Sequence, residues 1–120
     1  MSKYTVAVDF DGVIHAYTSP WVAADVIPDG PVPGAIEWLN HIGKSFKVVI
    51  HTTRGQSPAG QWAVQAWLRG YGCTLDNVTV TNIKVPALVY IDDRAWRFEG
   101  QFPSHGEILR AVPWNKKEKT

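Results

Sequence analysis

The chain has 120 residues, is 45% hydrophobic and 19% charged, and carries a net charge of +1. This allows one domain with a substantial core, leaves no room for a second lobe, and gives no support to a polyanion-binding surface. The lone Cys73 excludes an internal disulfide and a cysteine zinc cage.

Met1-Ser2-Lys3 leads straight into an apolar run with no signal-peptide pattern, and no apolar run reaches transmembrane length. A cytoplasmic protein without membrane association is the expectation. Val6-Ala7-Val8 wants burial on both faces, as in the centre of a parallel sheet. The run ends in Asp9-Phe10-Asp11-Gly12, where glycine allows a sharp turn. Two carboxylates held that close repel each other unless a cation or a shared proton intervenes.

Residues 13–32 carry Pro20, Pro28, Gly30 and Pro31 and read as a loop or small hairpin flap. Ala35, Ile36, Leu39 and Ile42 then follow helical spacing, with Pro33 at a plausible first turn and Gly43 at the end. Phe46 to His51 reads as a second buried strand, ending at Thr52-Thr53-Arg54-Gly55. Ser57-Pro58 is a hydroxyl cap followed by proline and opens a second helix, which Gly70 and Gly72 close. Val78-Thr79-Val80 is a short strand. Ala87 to Ile91 is another, ending in Asp92-Asp93. Ser104 caps a last short helix through Arg110.

Six tryptophans are many for this length. Trp38, Trp62 and Trp67 fall within helical patterns and are expected to pack there. Trp21, Trp96 and Trp114 fall in loop or tail contexts, where packing competes with ligand stacking. His15, His41, His51 and His105 show no metal-ligand spacing and receive no catalytic role.

The order strand, helix, strand, helix, strand, strand predicts right-handed crossovers and a doubly wound three-layer α/β/α sandwich around a mainly parallel sheet. One domain over residues 1–113 is expected, with 114–120 as a solvated tail. Such a fold brings the ends of its strands to one edge, where ligands bind. Asp9, Asp11, Thr52, Asp92 and Asp93 meet there, and Lys84 comes within reach.

Asp9-Phe10-Asp11-Gly12, the strand ending at Thr52, Lys84 and Ile91-Asp92-Asp93 together resemble the haloacid dehalogenase superfamily of phosphohydrolases, in that family's order and over residues 9 to 93. The resemblance implies a Rossmann-like core and a Mg²⁺-dependent phosphatase. Asp9 would be the nucleophile, forming an aspartyl-phosphate. Asp11 would be the general acid and then base, so it must start protonated, in surroundings unlike those of Asp9. Mg²⁺ would be held by Asp9, the backbone carbonyl of Asp11 and the Asp92-Asp93 pair, with Asp93 the direct ligand and Asp92 its supporting partner. Thr52, Thr53, Arg54 and Lys84 would bind the phosphoryl group, Lys84 offsetting its charge.

About 20 residues separate Gly12 from the first helix, enough for a flap but not for a cap domain. A capless site is open to a large phosphorylated substrate, such as a nucleic-acid end or a phosphoprotein, or to closure by a second copy of the chain. The competing reading is a catalytically idle binding or regulatory module on the same scaffold.

Overall fold

The computed structural model describes residues 4–76, 78–111 and 114. Strand β1 (Thr5–Asp9) buries Val6, Ala7 and Val8, as a doubly covered central strand requires. On one side it pairs in parallel with β2 (Lys47–His51), and on the other with β4 (Val89–Ile91). Strand β3 (Thr79–Thr81) adds to β2, giving an all-parallel sheet of order β3-β2-β1-β4.

Two helices make the first two crossovers. In α1 (Ala35–Ile42), Ala35, Ile36 and Leu39 turn inward. In α2 (Pro58–Gly70), Val64 and Leu68 do so. The Ser57 Oγ accepts the Gly60 N–H at 3.1 Å, capping α2 as its sequence predicts. These side chains form one apolar cluster with Val6, Val8, Val48, Ile50 and Val80 from one face of the sheet. Removing this area from water is what stabilises the layer.

The opposite face is covered differently. Ala7 and Val49 are buried there. The β3–β4 connection, residues 82–88, crosses as irregular chain rather than as a helix. Its Val85 N–H donates to the Tyr90 hydroxyl at 2.7 Å, and that hydroxyl donates back to the Val85 carbonyl. The crossover helix that a full sandwich needs on this face is therefore not formed: seven residues span the gap with no turn left for winding. The short α3 (His105–Arg110) buries no residue.

Residues 13–32 form the loop that the sequence predicts, with neither helix nor strand and only isolated bridges from His15 to Asp11 and Pro31. Other departures are local. Trp62 is 66% exposed, because the α2 stripe facing the sheet is centred on Val64 and Leu68. Trp38 is also exposed, whereas Trp67 packs edge-on against Phe10. The 114–120 tail lies mostly outside the described residues. Trp114 itself is not free in solvent, since its indole N–H donates to the Gly12 carbonyl. Among the described residues, no helix is long and apolar enough to cross a membrane.

The chain moves from β1 through β2 to β3, then returns past both to lay β4 on the far side of β1. The boundary between β1 and β4 is thus a topological switch point, where open α/β sheets leave a crevice at their carboxyl ends.

Leu39 is fully buried at the centre of the α1 contact. Leu39→Ala is expected to lose roughly 2–5 kcal/mol in a urea melt. Trp62→Ala is expected to stay within about 0.5 kcal/mol. Equal effects of the two substitutions would contradict the assigned core face.

Candidate functional site

The switch point gathers three carboxylates. Val8 pairs with Ile91, so Asp9 and Asp92 leave their strands at the same level. Asp9, Asp92 and Asp93 each offer an oxygen, and these oxygens lie within 4.8 Å of one another. Asp93 packs against the bend after β1: a Cβ on Gly12 would collide with its Oδ2 and stand 3.1 Å from its Cγ. Gly12 also has φ +87°, a conformation that favours glycine. The residue type at position 12 is thereby set twice, by backbone and by neighbour.

Like charges at this spacing need compensation. Burial pushes the Asp9 carboxyl up to about 8, and the Asp92 charge, then a hydrogen bond with Asp93 and the Asp93 charge, add to the rise, against a Phe10 N–H bond at 2.8 Å that works the other way. Asp92 is exposed and accepts the Arg94 N–H at 2.8 Å. Asp93 Oδ1 is buried and, among the described residues, has no hydrogen-bond partner. An orphaned carboxylate oxygen in a native interior costs about 1–3 kcal/mol or more, and calls for a ligand. A hard cation with oxygen ligands fits this donor set.

Asp11 lies in the opposite environment. Burial alone would raise its carboxyl, but hydrogen bonds from His15 and Arg54 outweigh that and hold it below the usual carboxylate range. The Arg54 Nε reaches its two oxygens at 3.1 and 3.0 Å. His15 Nδ1 lies 2.8 Å from Oδ1. The other His15 nitrogen accepts the Asp29 N–H at 3.1 Å, which leaves Nδ1 as the donor to Asp11. Asp11 was expected to carry a proton at the start of a reaction. The structure holds it ionised, because a guanidinium and an imidazole N–H both stabilise its charge.

Arg54 is also placed differently from expectation. Its side chain is 1% exposed, and its Nη1 donates to the carbonyls of Ala23, Ala24 and Val26 at 2.9 to 3.0 Å. Trp21 covers the guanidinium, 4.5 Å from its ring centroid. This arginine ties the flap to Asp11 instead of standing open to a phosphoryl group. Asp29 tightens the same loop, accepting the Ser19 N–H and hydroxyl at 2.8 and 2.7 Å.

Thr52 is buried one residue beyond His51, which pairs with Asp9, so it stands at the same sheet edge. Its N–H donates to Thr81, and its Oγ1 accepts the Arg54 N–H at 3.2 Å. Thr53 is exposed, in the 3₁₀ turn Thr53–Gln56. Lys84 is exposed, with its ammonium 5.7 Å from the Tyr90 ring centroid; among the described residues no carboxylate lies within 4.0 Å of it. The structure therefore does not pair it with Asp9.

His15 and Asp29 were missed by sequence reasoning. His15 sits four residues after Asp11, but in a loop, where helical spacing has no meaning. Its partner Asp29 is 14 residues further on. No local signal identified either.

Compared with known proteins, the chain matches no family model, no curated protein and no solved structure.

The raised Asp9 carboxyl sets a testable pH dependence. An unfolded Asp9 ionises near 3.8 and the folded one at about 8, so folding takes up a proton between these values. Its contribution to stability is complete below the lower value and is lost as pH rises through the upper. Asp11 and Asp29, held low, lose their contributions only on the acid side, outside this window. In chelator, the melting temperature is expected to fall across the window and the Asp9→Asn slope to be flatter. A divalent cation that binds the cluster, tested as Mg²⁺ at about 100 times any Kd found, would add roughly 2.7 kcal/mol to the wild type at pH 8. A wild-type melt indifferent to both pH and metal would contradict the cluster.

Proposed function

We propose that this protein is a Mg²⁺-dependent phosphatase, acting on a phosphate monoester through an aspartyl-phosphate at Asp9. The observation that supports it most is the buried, unpartnered Asp93 Oδ1 beside Asp9 at the switch point. The order of motifs shared with haloacid dehalogenase-like phosphohydrolases points the same way. Asp9, Asp93 and the Asp11 backbone carbonyl would hold the metal, with Asp92 in support through its Arg94 N–H bond. When bound, Mg²⁺ supplies charge neutralisation for the phosphoryl oxygens and for the crowded acids.

An Asp9 carboxylate oxygen attacks phosphorus, and the bond from phosphorus to the ester oxygen breaks. Asp11 is held ionised, so the leaving oxygen takes its proton from water, which is left as hydroxide. The same ionised state suits Asp11 to the second step. It takes a proton from the water that attacks phosphorus, and the bond to Asp9 breaks, releasing inorganic phosphate. A carboxylate has about four lone-pair sites, so the contacts to Arg54 and His15 leave room for that water. Thr52 donates its hydroxyl to a phosphoryl oxygen. Arg54 positions Asp11 and the flap, and Lys84 is assigned no step.

An idle binding module is favoured by one observation, the engagement of Asp11 by Arg54 and His15. Turnover of an aryl phosphate separates the two readings. Activity is expected to require Mg²⁺ and to fall by roughly 10³-fold or more in Asp9→Asn, the scale on which loss of a covalent nucleophile is felt. Asp11→Asn should leave a phosphorylated chain that accumulates, seen as a mass increase. Metal binding without turnover would give the module reading the advantage.

A further inference from the structure

A cleft of about 690 Å³ opens directly beside the carboxylate cluster, with Asp93 as part of its wall. One side is the segment after β4, where Arg94 and Trp96 stand. The Asp92–Arg94 bond fixes that segment to the acids, so the wall and the cluster keep a common frame. The other side is Pro103 with Ile108 and Arg110 of α3. Phe98 and Phe102 pack ring to ring at 4.8 Å in the loop between the two sides.

α3 contributes nothing to the core, yet it is carefully built. Ser104 Oγ accepts the Glu107 N–H at 3.1 Å while Glu107 accepts the Ser104 N–H at 3.0 Å, a complete capping box. A capped helix with no buried residue, and with Ile108 59% exposed toward a cleft, is explained by what it walls. Trp96, 50% exposed, lines the same cleft with its indole, as does the capping-box Glu107. A cleft lined by an indole and by aliphatic groups suits a flat, weakly polar occupant, and the Arg94 and Arg110 in the same lining suit the hydroxyls and ring nitrogens of a sugar-borne base.

We propose that this cleft is a nucleobase pocket and that the phosphate monoester presented to Asp9 belongs to a nucleotide. The substrate assignment rests on the phosphatase reading; the pocket does not. Asp93 belongs both to the cleft lining and to the carboxylate cluster, so an occupant of the cleft lies next to the cluster. A simple aliphatic phosphate ester would leave the Trp96 and Ile108 surfaces wet. The base with its phosphate monoester is common to a free mononucleotide and to the terminal nucleotide of a strand.

The test compares kcat/KM, with Mg²⁺, for adenosine monophosphate, a 5′-phosphorylated and a 3′-phosphorylated oligonucleotide, glycerol phosphate and a phosphoserine peptide. Base stacking on an aromatic ring predicts a preference of about tenfold or more for the nucleotide substrates over glycerol phosphate, and Trp96→Ala should erase most of it. The ratio between the free nucleotide and the oligonucleotides identifies the source. Glycerol phosphate or the peptide turned over as well as the nucleotides would overturn the pocket while leaving the phosphatase standing. If no ester, aryl phosphate included, is hydrolysed, the phosphatase reading falls. Ligand-observed NMR of adenosine monophosphate on Asp9→Asn then decides the pocket alone. Binding that weakens about tenfold with Trp96→Ala in the same background upholds it, and no binding, or binding indifferent to Trp96, overturns it.

Discussion

Everything at the working edge of this protein follows from three carboxylates that the strand order forces together. With β4 laid beside β1, Asp9 and Asp92 emerge level, and Asp93 turns in against Gly12. The chain pays for this in electrostatic repulsion and in a carboxylate oxygen left without a partner. The sheet can hold such an arrangement because its core is secured elsewhere, by α1, α2 and the apolar face of the strands. A bound cation would turn the repulsion into cohesion.

Asp11, two residues away, is treated in the opposite manner. Its charge is welcomed by Arg54 and His15, and the same arginine binds three flap carbonyls. One acid is thereby raised toward neutrality and its near neighbour kept ionised. The resemblance implies unlike surroundings for the two acids, and they have them, with the raised carboxyl on Asp9 and not on Asp11. Under the proposed mechanism this suits Asp11 to activating water more than to protonating a leaving group. The flap, bound through Arg54, is part of the same electrostatic unit and not a loose cover.

What was legible in the sequence was what local pattern encodes. Val6-Ala7-Val8 followed by acids marks a buried parallel strand and its functional end, and Ser57-Pro58 marks the start of α2. The strand order itself followed from alternation and crossover handedness only as a class, since β4 could not be located beside β1 without pairing information. Arg54 shows the limit best. Beside Thr52 it reads as a phosphate ligand, yet its partners lie 28 to 43 residues away, on Asp11 and in a flap without regular structure. Lys84 is hard to place for a related reason: it sits on a seven-residue irregular connection, where no periodicity fixes the direction of a side chain. Trp62 was misjudged because a helix stripe one position wide of its true centre includes it.

The most direct test of the account is a crystal structure grown with Mn²⁺, read by anomalous difference density. A single strong peak within coordination distance of oxygens from both Asp9 and Asp93 is the predicted result. Saturating Mn²⁺ with no density between those two side chains, or with the strongest peak elsewhere, would contradict it.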